Sequence, residues 1–569
     1  MRIFVALISL AFLLMTVACA DRSGLAIEAD LVILGGTIYT VDDAQLRVEA
    51  IASKGQYIIA AGSEDEVRGV IGDGTRVINL DGAVAVPGLI EGHAHLLSLG
   101  TAQTQLALAS AGEWQEIVDL VAEAVQRAEP GEWILGRGWH QEKWGSPPAD
   151  SLDGFPVHFD LSRVAGANPV RLTHASGHAV IVNAKAMEMA GITDETPDPE
   201  GGEIVRDRMG KATGVLSETA EELLSPFIDR FGSDDLYRKR VNLAVEECLA
   251  KGITSFQDAG SSLREADELL RMASDGELRI RLWIMLSEDN DVLAPELASH
   301  RLTDAGDGFL TVGGIKRWID GALGSRGAWL LEPYSDLPAT SGLNTEDLDS
   351  MRETARLALE HGYQFCVHAI GDRANRETLD LFEEAFSEVP EAQDLRWRIE
   401  HAQHLDSSDI GRFSELGIIA SMQPTHCVSD GPWVPQRLGD ERSEQGAYVW
   451  RRLIDSGAVV SSGTDAPVED VDPLATFHAA ITRLMSNGEA FYPSQCMTRI
   501  EALEAATINA AYAVFQDDVK GTLEVGKYMD VTVLTHDILS VPESEVLETD
   551  VLYTIVGGRI QYSESHGDY

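Results

Sequence analysis

Eight apolar runs recur through the middle of this chain, with amphipathic stretches between most of them, and that alternation limits its fold more than any other feature. The runs read AVAVPGLIEGHAH, GITSFQDAG, RIRLWIML, GGIKRWIDG, YQFCVHAIGD, RWRIEHAQH, GIIASMQP and GAVVSSGTDAP. Intervening stretches such as DLYRKRVNLAVEECLAKG and TEDLDSMRETARLALEHG repeat their apolar residues at helical spacing. Continuous apolar strands alternating with helices are buried on both faces of a parallel sheet, and eight such units close into a (β/α)8 TIM barrel. The predicted class is therefore α/β, with the barrel spanning 85–514 of the 569 residues.

Residues 101–240, after the first strand, are too long for one βα connection. They are expected to form an inserted, lid-like subdomain over the mouth of the barrel. The flanks, 28–84 and 515–569, carry short strands punctuated by Gly and Asp turns: LVILGGTIYTVD, EAIASKGQYIIAAG and TRVINL on one side, DVTVLTHD and DVLYTIVGG on the other. Neither flank buries much core alone, so a small β-sandwich built from both chain ends is predicted.

The first residues read MRIFVALISLAFLLMTVAC, with Arg2 ahead of an apolar run and small residues before Cys19. This is the layout of a signal peptide, assigned to 1–18, followed by a tether over 19–27. The Thr-Val-Ala-Cys ending resembles the bacterial lipoprotein cleavage box, which implies lipid on the Cys19 sulfur, and Ala20 resembles the outer-membrane sorting pattern. The expectation is an exported lipoprotein on the periplasmic side, touching membrane only through that anchor. No later run is long and apolar enough to span a bilayer. With 44 Lys+Arg against 92 Asp+Glu, the net charge of −48 repels polyanions and excludes nucleic acid as a partner. A small-molecule substrate is expected, and a homodimer is kept open as a partner. Cys248, Cys366, Cys427 and Cys496 form no CxxC pair, which argues against a disulfide framework and a cysteine-based zinc site.

The chemistry lies at the strand ends. His93 and His95 are two apart on a strand, so they share a face. His368 ends the fifth strand, His401 the sixth and Asp465 the eighth, while Lys316 lies in the fourth. A barrel gathers these ends at one opening. Four imidazoles and a carboxylate there suit zinc or a similar divalent ion, one or two in number. An ammonium beside such ions would be repelled. A neutral Lys316 amine could instead take up carbon dioxide as a carbamate, whose two oxygens can bridge two metals. The alternative is a Lys316 ion pair with Asp320 or Asp465.

VPGLIEGHAH, the later Lys, the two separate His and GTDAP together resemble the amidohydrolase superfamily of metal-dependent hydrolases. IDGALGSRGAWLLEPY, VHAIGDRAN, IEHAQ and MQPTH, with SGHAVIVNAKAMEMAGI and GEIVRDRMGKATGVLSETA in the insertion, are similar to its YtcJ-like branch, amidohydrolase family 3. The resemblance implies metal ligands at His93, His95, Lys316, His368, His401 and Asp465. Asp465 is then suited to take a proton from water and return it to the leaving nitrogen, with His426 stabilising the oxyanion. Arg326 is a candidate for holding a substrate carboxylate, and His178 for a contact from the lid. His140 stands where branch members tend to have Asp, and is a third candidate substrate contact. Trp133, Trp139 and Trp144 either line the pocket or form the core of the insertion. The expected activity is hydrolysis of a non-peptide amide, N-acyl or cyclic amide bond. Ring deamination or ester-type hydrolysis on the same centre is the alternative, and a silent binding lipoprotein the remote one.

Overall fold

The structure is a computed structural model that describes residues 27–564, apart from 149, 153, 200, 229–232 and 390–393. The expected signal peptide and Cys19 lie outside the described residues. Among the described residues, no helix is long and apolar enough to cross a membrane.

Eight parallel strands form the barrel: β1 (Leu89–Ala94), β2 (Ile253–Ser261), β3 (Arg281–Leu286), β4 (Leu310–Trp318), β5 (Gln364–Ala369), β6 (Arg398–His401), β7 (Ile419–Met422) and β8 (Val460–Ser462). They pair in chain order. The circle closes just past the last strand, where Asp465 N–H donates to the His93 carbonyl at 2.7 Å and His95 N–H to the Ala466 carbonyl at 2.8 Å. A Cβ at Gly92 would collide with the Ser462 carbonyl, so this seam needs glycine. Register across the seam between β4 and β5 sets Trp318 beside His368, and that between β5 and β6 sets Ala369 beside His401. The functional side chains are thereby levelled at one end.

One sequence reading needs correction. AVAVPGLIEGHAH is not one strand. Val84–Pro87 belongs to a separate sheet, and the chain enters β1 through Gly88, where a Cβ would strike Thr254. The separate sheet has the order Arg559–Ser563, Val551–Val556, Val531–Leu534, Val84–Pro87, Thr37–Tyr39, Arg47–Val48, so both chain ends build it. Val531 sits antiparallel opposite Pro87, and Leu534 opposite Val84. A four-stranded sheet (Tyr57–Gly62, Ala50–Lys54, Leu31–Leu34, Arg76–Asn79) faces it across a core of Ile33, Ile38, Ile51, Val531, Val533 and Ile555. Val84 and Val86 point the other way and join the core of the barrel, as the two-residue period of a strand requires.

The insertion carries a six-stranded mixed sheet, with strands from Leu106–Ala107 to Ala212–Glu218. Trp139 and Trp144 are buried in its own core with Leu161, Leu172 and Ile181, and Trp133 packs on its second apolar cluster. None of the three lines the central cavity, so the core reading of these tryptophans holds over the pocket reading.

Candidate metal centre

The interior of the barrel beneath the mouth is polar. Arg398 and Glu400, two apart on β6, both point inward and are fully buried, with Nε and Oε1 2.8 Å apart. Arg398 Nη2 also donates to the Gly92 carbonyl at 2.8 Å and to Ser421 Oγ at 2.9 Å. Burial opposes ionisation of Glu400, but Arg398 and His93 hold it well below the usual carboxylate range. Glu400 Oε2 lies 2.5 Å from His93 Nδ1, which turns His93 Nε2 up toward the mouth.

His401 is pinned in the same way, with Nδ1 2.7 Å from Gln423 Oε1. An Nδ1 partner that fixes tautomer and ring orientation is the usual support of a metal-binding imidazole. His401 follows the inward-facing Glu400, and simple alternation would turn it away. A φ of +76° reverses that. Asp465, with φ +59°, is likewise held in the left-handed region that non-glycine residues avoid. Such strain persists only where surrounding structure enforces it, and it concentrates at functional sites.

Around the Asp465 carboxylate, Oδ1 lies 3.2 Å from His95 Nε2 and 3.6 Å from His93 Nε2, and Oδ2 lies 3.8 Å from His426 Nε2. Two groups of donors share Asp465: His93 with His95, and His401 with His426, each with its ligand atoms within 4.8 Å of one another. His368 belongs to neither group. Its ring centroid is 4.5 Å from that of His401, and its Nε2 is 3.5 Å from Asp320 Oδ1. The structure thus draws His426, expected as an oxyanion donor, among the possible ligands. His426 lies in the first turn of a short helix, Pro424–Asp430, whose first residue is a proline suited to that position.

Burial, opposed only in part by carboxylates, lowers His93 to about 4 and holds His368 and His401 well below the usual imidazole value. Burial would raise Asp465, but His95, His401 and His93 hold it well below the usual carboxylate value. Neutral imidazoles around an ionised carboxylate are the protonation states that a divalent metal needs. His93 Nε2, His368 Nε2, His426 Nε2 and Lys316 Nζ are buried without a hydrogen-bond partner. Orphaned donors converging on one carboxylate fit an ion bound among them.

Lys316 is fully buried, and burial lowers it to about 8. It pairs with neither Asp320 nor Asp465. Asp320 instead accepts three backbone N–H groups, from Trp329, Ile370 and Gly371, at 2.9, 3.0 and 2.8 Å. Glu400 and Asp465 act on it only through their charges, which oppose the lowering by burial.

Above the cluster opens a cavity of about 570 Å³, lined by barrel and insertion together. His95, His140, His178, Arg326, His368, His401, His426 and Asp465 line it, while His93 and Lys316 lie beneath its floor. His178 reaches in from the insertion with Nδ1 2.8 Å from Glu218 Oε2. Burial would depress His178, but Glu218 and its acidic neighbours raise it to about 9. His140 turns its Nδ1 to the Glu142 backbone N–H at 3.2 Å and packs against the His174 ring. Arg326 lines the cavity, but its fork is spent on Asp336, with Nη2–Oδ2 at 3.0 Å and Nε–Oδ1 at 3.3 Å. The expected carboxylate contact of Arg326 therefore meets a guanidinium already paired with an acid of its own loop.

Glu400, Gln423 and Arg137 were not singled out from the sequence. Arg398 and Glu400 show a period-two charge pattern inside an apolar run, which is a usable signal. Gln423 carried none beyond its place at a strand end. Arg137 sits between two glycines in a strand of the insertion, and burial lowers it to about 10, still charged at neutral pH.

The barrel and its mouth define a candidate metal site on a (β/α)8 scaffold, with imidazoles arranged around one carboxylate. The chain belongs to the amidohydrolase family, whose model matches residues 76–562. It is 34% identical to the protein LONG AFTER FAR-RED 3 of Arabidopsis thaliana, over 94% of this chain and 92% of that one. It is 31% identical to the putative amidohydrolase YtcJ of Bacillus subtilis, over 93% and 99%. With the N-substituted formamide deformylase of Arthrobacter pascens it shares 27% over 94% and 99%. Among solved structures, an uncharacterized metal-dependent hydrolase from Pyrococcus furiosus superposes with a TM-score of 0.71, at 27% identity, covering 90% of this chain and 100% of that one.

Proposed function

We propose that this protein is a metal-dependent hydrolase of a carbon–nitrogen bond, in a non-peptide amide, N-acyl or cyclic amide. The observation that carries the reading is the convergence of His93, His95, His401, His426 and Asp465 donors at the C-terminal mouth of the barrel, where barrel chemistry resides. The relative that acts on N-substituted formamides supports the bond type.

His93, His95, His401 and Asp465, with His368 and a carboxylated Lys316, would hold one or two divalent ions, zinc foremost. A bound ion supplies Lewis acidity that brings the pKa of water toward about 7. The side chains do the rest. The Asp465 carboxylate accepts the proton of the attacking water and delivers it to the leaving nitrogen. His426, left off the metal in this reading, donates an N–H to the oxyanion that forms on the carbonyl. Glu400 and Gln423 hold two of the imidazoles in one tautomer. His178, charged beside Glu218, closes the mouth from the insertion. We propose in addition, from the apolar run behind Arg2 and the Thr-Val-Ala-Cys ending alone, an exported lipoprotein held by lipid on Cys19 and acting on a small molecule.

The test is metal content per chain, measured by elemental analysis on protein lacking residues 1–18 and purified with bicarbonate. About two ions, falling in Lys316→Ala, supports a carbamate-bridged pair. About one ion, unchanged in that variant, removes Lys316 from the centre. No metal after reconstitution sinks the reading.

A further inference from the structure

Arg137 is placed in the cavity by a specific backbone device. The strand Ile134–Trp139 breaks register between Arg137 and Trp139, with Gly138 at φ +104°. An irregularity of this kind re-aims a side chain. Arg137 is turned off the sheet of the insertion toward the mouth of the barrel. Its Nε donates to the Pro467 carbonyl at 3.2 Å and its Nη2 to the Ala175 carbonyl at 3.2 Å. Pro467 is two residues beyond Asp465, so the guanidinium is tied to the rim of the metal centre.

Two carbonyls fix its position, and the charges of Asp465 and Glu221 reach it only from beyond ion-pair distance. In a chain with 92 acidic residues, no carboxylate among those described forms an ion pair with Arg137, and its Nη1 carries no hydrogen bond. The other cavity cations differ: Arg326 and Arg437 are both neutralised by Asp336, and Lys143 is exposed. A planar fork with free N–H groups, held rigidly, is the arrangement that recognises a carboxylate. Phe155, Trp318, Leu323 and Trp433 line the same cavity and offer apolar surface beside it.

We propose that Arg137 is the binding site for a carboxylate on the substrate, so that the preferred substrates are amides bearing a carboxylate and an apolar group, such as N-acylated apolar amino acids. This rests on reading the cavity as the active site, and it assigns to Arg137 the role that the sequence suggested for Arg326.

The test separates anion recognition from the reaction. Calorimetry on the metal-loaded protein compares 4-phenylbutanoate with 4-phenylbutan-1-ol, neither of which contains a hydrolysable bond. The expected result is an affinity for the acid at least about tenfold higher, the scale of one charge-assisted contact. Arg137→Met should erase that preference and leave affinity for the alcohol unchanged. Equal affinity for acid and alcohol in the native protein overturns the proposal. So does a preference that survives Arg137→Met, which would place the carboxylate on the metal. If Arg137→Met does not fold, Arg137→Gln and Arg137→Lys give the same comparison, with Lys retaining part of the preference. Turnover of N-acetylphenylalanine and N-phenethylacetamide is read separately. An Arg137-dependent acid preference without turnover of either amide keeps the anion site and rejects N-acylated apolar amino acids as the substrates.

Discussion

Glu400 serves two neighbours at once, and its replacement separates what each receives. Glu400→Gln keeps an acceptor for His93 Nδ1 but removes the charge that balances buried Arg398. Supporting residues of this type are worth about 10–100-fold in metal affinity, so that loss is expected in a chelator competition titration. Unchanged affinity would mean that packing alone orients His93. Asp465→Asn should lower turnover by about 10³-fold or more while the fold persists, because the amide cannot accept the proton. Near-native turnover in that variant defeats the proton role. At this scale the sequence showed the residues that end strands, because strand ends in a barrel are confined to one rim. It did not show Gln423 or Arg137, whose roles depend on a neighbouring strand and on an irregular sheet.

Elements bring these residues together from separate parts of the chain, and within the insertion the His178–Glu218 pair makes stability respond to pH. His178 is raised above its ordinary 6.5 to about 9 by Glu218, so the charged pair adds stability fully below pH 6.5 and loses it as pH rises through 9. Urea unfolding at pH 7 and pH 10 should show native protein losing about 1–3 kcal/mol more than His178→Gln over that interval. Equal losses would show that the pair contributes nothing to stability. Within the insertion, Trp139 is fully buried and donates to the Leu172 carbonyl at 2.9 Å. Trp139→Ala should cost about 3–5 kcal/mol, read as faster hydrogen exchange in Val170–His174. Barrel strands were legible here because each is a continuous apolar run. The break at Gly88 was not, since two strands in different sheets share one apolar stretch without a polar residue between them.

The whole molecule is tied together below the barrel, far from the mouth. Arg281, at the start of β3, forks onto Asp530, with Nε–Oδ2 at 2.8 Å and Nη2–Oδ1 at 3.2 Å. Asp530 also accepts the Gly557 N–H at 2.7 Å, and its carbonyl accepts the Gly88 N–H at 2.8 Å. One residue thus binds the barrel, the second chain end and the entry into β1. Pairing between the two ends was foreseeable from flanks too small to bury a core alone, whereas this buried ion pair was not, because nothing in sequence relates positions 249 residues apart. Asp530→Ala leaves a buried guanidinium without its counter-charge, a change that costs about 3–5 kcal/mol. Because Arg281 opens β3 in the barrel wall, paired with Ser255 of β2, the loss should extend to the metal centre. The expected outcome is one cooperative urea transition at lower midpoint, with metal release coinciding with it. Release of the sandwich in a separate earlier transition, with metal retained, would show that the two parts are energetically independent. Arg281→Leu combined with Asp530→Leu should recover much of the stability, since a matched apolar pair leaves no buried charge behind.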